Sequence, residues 1–251
     1  MSERAGFPVE PVSVLHSSKI ASDKLEGKEA EVFETAITRR LKSGMRSFLV
    51  IPFFFGPSRA LTEFLPERFS VIACDHPDAR LVMASPLAGD ERIADSRIAK
   101  ALSDSINEVV VARGLEEYSA VLVDHGTPVR EVAAIRDSVG AQLEALLDSR
   151  CHSFAVSSME RRPEPEYAFN EPLLENVLGA DDFTSGPVVI AHLFLLPGRH
   201  AGDSGDIAEI CSAAENGSPE LRCIRSSLLG GHPLILEILM DRLHETLAQQ
   251  S

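Results

Sequence analysis

Short apolar runs that read as buried parallel strands recur along this chain between longer stretches of helical period, and that alternation restricts the fold to α/β layers. A strand buried on both faces carries a continuous apolar run, with none of the polar alternation of a half-exposed strand. The candidates are Val12–Leu15, Ser47–Phe55, Phe69–Ala73, Arg80–Ala84, Ser119–Asp124, Ser153–Ser158, Pro187–Leu196 and Leu221–Ser226. Between them, Val129–Leu147 places Val132, Ile135, Val139, Leu143, Leu146 and Leu147 at the three-to-four-residue spacing that lays one helical stripe on a sheet. A length of 251 residues suits one large α/β domain or two smaller ones, and 44% hydrophobic residues is ample for a core.

The two halves of the chain echo each other. Val14-Leu-His-Ser-Ser parallels Val123-Asp-His-Gly-Thr, and Val50-Ile-Pro-Phe-Phe-Phe-Gly-Pro-Ser-Arg parallels Ile190-Ala-His-Leu-Phe-Leu-Leu-Pro-Gly-Arg. Ser85-Pro-Leu-Ala-Gly89 parallels Ser226-Ser-Leu-Leu-Gly230, each leading into a helix. Three echoes in one order place a boundary near Gly114–Tyr118, after a helix over Arg92–Arg113, and divide the chain into halves 1–116 and 117–251. The first half lacks the strand-helix unit that the second keeps at Cys151–Leu178, and it carries Ala60 where the echo would put His200.

Composition narrows the partners. A formal net charge of −14 argues against nucleic acid or an anionic membrane across the whole surface, while a local Arg cluster remains able to hold an anionic small molecule. The N-terminus has no apolar segment of secretory type, and the later apolar runs fall short of the roughly 20 residues that span a bilayer, so the expected location is cytoplasmic. Cys74, Cys151, Cys211 and Cys223 form no CxxC pair, which argues against a structural zinc or redox motif and reads as reduced core thiols.

Chemistry concentrates in the second half. In a parallel sheet, ligands bind at the carboxyl ends of the strands, and His125 and His200 each follow an apolar strand. His125-Gly126-Thr127-Pro128 reads as a strand end, a glycine for close approach, a threonine N-cap and a proline opening a helix, which would leave N–H groups for a carboxylate. An ordinary βα turn that happens to contain histidine is the alternative. The glycine-rich loop Leu196-Pro-Gly-Arg-His200-Ala-Gly-Asp-Ser-Gly-Asp opens a helix at about Asp203–Ile207. It offers Arg199 to carboxylates and His200 to a reacting centre, unless it is simply a solvent loop. Glu160 follows the strand at Ser153–Ser158, beside Arg161 and Arg162. Two imidazoles and that carboxylate would make an exchangeable site for a divalent first-row metal, against a plain solvated Glu–Arg pair.

The remaining candidates are weaker. Gly202-Asp-Ser-Gly205 is similar to the nucleophile segment of trypsin-like proteases, but those are antiparallel barrels and this chain is patterned as α/β. His192, among apolar neighbours, reads as a hydrogen-bonded core histidine. His76, His152, His232 and His244 show no convincing partner, with His232 left either to cap the last helix or to line the cleft.

Taken together, the strand-His-Gly-Thr turn at His125, the strand followed by Gly198-Arg-His200, and Leu229-Gly-Gly-His-Pro233 resemble the class II chelatases of the CbiX and SirB type. The resemblance covers most of Ser119–Leu247, with Val12–Arg113 as a degenerate copy. It implies two similar three-layer αβα halves with parallel sheets facing a central cleft that accepts a flat tetrapyrrole. The implied activity is insertion of Co²⁺ or Fe²⁺ into sirohydrochlorin, the metal being a substrate and no cofactor tightly bound. His125 and His200 match the family's active-site histidines, and Glu160 matches an acidic position. Gly126, Thr127, Arg199, Arg161 and Arg162 are the candidates for holding the substrate's carboxylate rim. Asp124 stands where the family commonly has glycine. A non-catalytic metal or tetrapyrrole carrier on the same scaffold is the competing reading, and monomer and homo-oligomer both remain open.

Overall fold

The structure is a computed structural model that describes residues 1–15, 31–89 and 93–250. The chain forms two compact units, Met1–Pro86 with Leu239–Ser251, and Leu87–Ile238. This division falls elsewhere than the 116/117 boundary expected from the sequence echo: the helix expected to close the first half belongs with the second unit. His16, at the centre of the first echo, and Arg92, at the expected helix start, lie outside the described residues.

The first unit contains α1 (Ser2–Ala5), α2 (Phe33–Lys42), β1 (Ser47–Val50), α3 (Leu65–Ile72) entered through a π-helical turn at Ala60–Phe64, and β2 (Arg80–Met83). β1 and β2 pair in parallel from Ser47 opposite Arg80 to Val50 opposite Met83. Phe33, Ile37 and Leu41, spaced four apart on α2, pack with Leu61, Leu65, Phe48 and Phe69 into one core. Two expected strands are corrected. Phe69–Ala73 is helical: Leu61, Leu65 and Phe69 recur at helical spacing, and Val71 is 58% exposed, which no buried strand allows. Val12–Leu15 makes only an isolated bridge, Ser13 to Val32, and leaves Val12 and Leu15 exposed.

The second unit runs α4 (Ser96–Arg113), β3 (Tyr118–Asp124), α5 (Arg130–Glu144), β4 (Cys151–Ser158), α6 (Leu174–Leu178), β5 (Gly186–His192), α7 (Asp206–Gly217) and β6 (Leu221–Arg225), then enters α8 (Pro233–Gln249). Its sheet is parallel throughout, in the order β4-β3-β5-β6. β3 is buried along its whole length. Val121 and Val123 face a core shared with Leu174, Val177, Ile207 and Cys211 of α6 and α7. α4 packs on α5 and β5, and α5 on β4, making three layers. Gly140 lets α5 close on β4, because a Cβ there would lie 2.4 Å from Val156. The stripe on α5 holds at Ile135, Val139 and Leu143, but the helix ends at Glu144 and Leu146 is exposed.

All four cysteines are free thiols; Cys211 is buried as expected, whereas Cys74 is exposed. Among the described residues no helix is long and apolar enough to cross a membrane.

Candidate active site

The strand order sets the site. From β3 the chain crosses outward to β4, then returns to the opposite side of β3 as β5, so the order reverses between β3 and β5. The carboxyl ends of strands at such a reversal are the usual ligand position in open α/β sheets. The loop after β3 carries His125 and the loop after β5 His200, and their rings meet with centroids 4.4 Å apart, tilted by 35°.

His125 is held by an extension of the strand pairing. The Met159 N–H donates to Asp124 O (2.8 Å) and the Glu160 N–H to His125 O (3.3 Å), which draws Glu160 alongside. The chain turns at once through Gly126, whose φ of 88° is left-handed and whose absent Cβ would stand 1.9 Å from Glu160 O. Glu160 Oε1 lies 3.2 Å from His125 Nε2.

The His200 loop is tied down at several points. The N–H groups of Leu229 and Gly230 donate to Phe194 O and Leu195 O, at 2.9 and 2.8 Å. The Arg225 guanidinium on β6 donates to Gly202 O (2.9 Å) and Asp203 O (3.0 Å). Helix α7 begins at Asp206, within the expected Asp203–Ile207 opening, and its first N–H groups donate to Arg199 O and His200 O, at 3.3 and 3.2 Å. The Asp206 carboxylate then accepts from His200 Nδ1 at 2.6 Å.

Burial, and next the neighbouring His200, push the His125 pKa below the usual imidazole value, while Glu160, Asp124 and Asp206 oppose the shift. His125 is therefore neutral at pH 7, with a lone pair to offer. Beneath it, burial raises the Asp124 carboxyl, although Ser158, Arg136 and the Gly126 N–H (3.0 Å) all favour its charged form.

A buried polar frame supports the turn. Arg136, 3% exposed on α5, donates to Ser158 Oγ, Asn170 O (3.2 Å) and Phe169 O (3.0 Å). Asn170, fully buried, accepts from the Thr127 N–H (2.9 Å) and donates to Thr127 O (2.9 Å) and Tyr167 O (3.0 Å). The N–H groups of Gly126 and Thr127 are thus satisfied within the protein and are not left for a ligand. Nor does Thr127 cap α5 with Pro128 at its first position. The helix starts at Arg130 after Val129, and Thr127 Oγ1 accepts from the Val129 N–H (3.0 Å).

The basic residues separate. Arg161 donates to Glu171 (2.6 Å) and to the carbonyls of Arg162 and Pro163, and Arg162 reaches the Tyr167 hydroxyl (3.3 Å) and covers its ring. Among the described residues Arg199, its side chain 84% exposed, has only a 3.9 Å approach to Asp206. His192 is the core histidine expected: it is 2% exposed, with Nδ1 2.9 Å from Ser226 O and Nε2 buried without a partner among the described residues. His232 caps α8, accepting from the Leu234 N–H at 3.3 Å, and His152, expected to be unpartnered, lies 3.2 Å from Glu117.

Among the described residues no three His, Cys, Asp or Glu side chains form a ready metal-holding group. The site instead pairs each imidazole with its own carboxylate. Sequence reasoning missed Asp206, Arg225, Asn170 and Arg136. Only Asp206 carried a signal, as an acid at a helix start.

A family model described as CbiX matches residues 119–246. Among solved structures, SirB from Bacillus subtilis with Fe3+ aligns over 99% of this chain and 86% of that one, with a TM-score of 0.70 and 17% identity. The structure of CbiX, the terminal enzyme for biosynthesis of siroheme in denitrifying bacteria, aligns over 78% of this chain and 74% of that one, with a TM-score of 0.50 and 14% identity. No curated protein matches. The structural likenesses show a shared α/β fold.

Proposed function

From the premise that the chain belongs to the CbiX family, we propose that it is a class II metal chelatase that inserts Co²⁺ or Fe²⁺ into sirohydrochlorin, in cobalamin or siroheme biosynthesis. The observation that supports this most is the contact between the His125 and His200 rings at the switch point of the parallel sheet.

Insertion exchanges one divalent ion for two pyrrole N–H protons. The site must therefore offer a ligand to the incoming ion and an acceptor to the departing protons. Neutral imidazole does either, and the lowered pKa of His125 keeps its lone pair available at neutral pH. Glu160 and Asp206 add negative charge beside the rings, which attracts the cation. Glu160, itself exposed, gives protons a route to solvent. The open guanidinium of Arg199 suits the carboxylates of the macrocycle. Gly126 and Thr127 shape the turn under the substrate, while Arg161 and Arg162 would engage it only by exchanging their present partners. Imidazole and carboxylate accept cobalt, iron and nickel alike, so metal supply selects among them. A tetrapyrrole carried in solution suits a cytoplasmic enzyme with no bound cofactor.

The test is to mix purified protein with sirohydrochlorin and Co²⁺, Fe²⁺ or Ni²⁺ in turn and follow the tetrapyrrole absorption spectrum. Insertion faster than the spontaneous rate with at least one metal is expected, lost in both His125→Ala and His200→Ala. Unchanged rates in both variants would reject the site, and binding without turnover would make the protein a carrier.

A further inference from the structure

The two histidines are held differently. His200 Nδ1 makes a 2.6 Å hydrogen bond to the Asp206 carboxylate, whereas His125 is only approached by Glu160, at Nε2. An ionised carboxylate can only accept, so the proton of the His200 ring sits on Nδ1 and the lone pair on Nε2. Among the described residues, Nε2 of His200 has no hydrogen-bond partner.

We propose that Asp206 is a positioning residue which locks His200 in the Nδ1–H tautomer and thereby makes its Nε2 the atom that receives the metal ion. The assignment rests on the chelatase reading above. The backbone makes the lock rigid. His200 O accepts the Ile207 N–H and Arg199 O accepts the Asp206 N–H, so the imidazole and its carboxylate are joined through main chain as well as side chain. A Cβ on Gly205 would stand 2.6 Å from both of those carbonyl oxygens, so only glycine allows this closure. The Arg225 bonds to Gly202 O and Asp203 O stop the intervening loop from carrying the ring away. A carboxylate on the far nitrogen of a metal-bound histidine fixes its orientation and increases its donor strength, and losing such a partner typically costs about 10- to 100-fold in metal affinity or activity.

The experiment compares wild type, Asp206→Asn and His200→Ala by ¹⁵N NMR of the histidine rings, by Co²⁺ titration of the protein alone and by insertion rate. The wild-type His200 ring is expected to show protonated Nδ1 and bare Nε2. Asparagine can turn its NH₂ toward Nδ1, so Asp206→Asn should populate the Nε2–H tautomer and weaken Co²⁺ binding about 10- to 100-fold. Asp206→Glu, which restores a carboxylate, should recover part of that loss. A wild-type ring protonated at Nε2, or Co²⁺ affinity and insertion within about twofold of wild type in Asp206→Asn, would overturn the assignment. If His200→Ala itself leaves binding and insertion intact, the chelatase site fails. If His200→Ala fails to bind while Asp206→Asn does not, only the role of Asp206 falls. Should Asp206→Asn not fold, the wild-type tautomer alone decides.

Discussion

Replacing Gly126 with alanine tests how the fold builds the site. The new Cβ would stand 1.9 Å from Glu160 O, at a backbone φ of 88° that side-chain-bearing residues avoid. To reach an ordinary contact of at least 3.4 Å, the Glu160 carbonyl must retreat by about 1.5 Å. The left-handed conformation costs about 1–2 kcal/mol and the forced overlap about 1–3 kcal/mol, together about 2–5 kcal/mol. For a protein of this size that lowers Tm by roughly 5–15 °C. The same retreat pulls Glu160 away from His125 and strains the Glu160 N–H to His125 O bond, so insertion should fall by at least about 100-fold, the typical penalty of a misplacement of only about 1 Å. Thermal melting and the spectrophotometric insertion assay measure the two effects. Gly217→Ala is the control, since its Cβ meets nothing within 4 Å and should leave both unchanged. A Gly126→Ala protein with unaltered Tm and rate would refute the close packing of the turn on Glu160.

The titration of His125 follows from its neighbours: its C2–H resonance should titrate below the usual imidazole value, higher in His200→Ala and lower in Glu160→Gln, and shifts of opposite sign would contradict the electrostatics. Because that pKa is lowered in the folded state, the unfolded chain binds the proton first. His125 therefore contributes to stability near pH 7 and loses that contribution as pH falls below about 6.5. Asn170→Ala strands both main-chain groups of Thr127 and should cost about 2–4 kcal/mol in urea denaturation; a loss under about 1 kcal/mol would deny its structural role. Arg199→Ala should change stability by less than about 0.5 kcal/mol while raising KM for the tetrapyrrole, and an unchanged KM would remove Arg199 from the substrate rim.

The strands of the second sheet were legible because a parallel strand covered on both faces must be apolar along its length, as β3 is. The same rule misread Phe69–Ala73, where a run too short to show a period belongs to the helical series begun by Leu61 and Leu65. His125 and His200 were legible because each lies in the connection that follows an apolar strand, and sheet topology then brings them together. The supporting shell was not. Thr127 looks like an N-cap by local chemistry, yet Asn170, 43 residues on, takes its main chain and delays the helix to Arg130. Arg136 interrupts an apolar stripe because its partners come from β4 and the segment at Phe169–Asn170, which no helical period encodes. Asp206 reads as an acid at a helix start, whereas its partner is the histidine that the preceding loop folds back onto it.

The central claim is that His125 and His200 act as one unit on a metal ion. A double-mutant cycle on the initial rate of metal insertion into sirohydrochlorin, using His125→Ala, His200→Ala and both together, measures that directly. Residues that act as a unit are strongly non-additive, so each single variant should lose about as much as the pair. Losses that simply add, or a double variant that still inserts metal at the wild-type rate, would contradict the account.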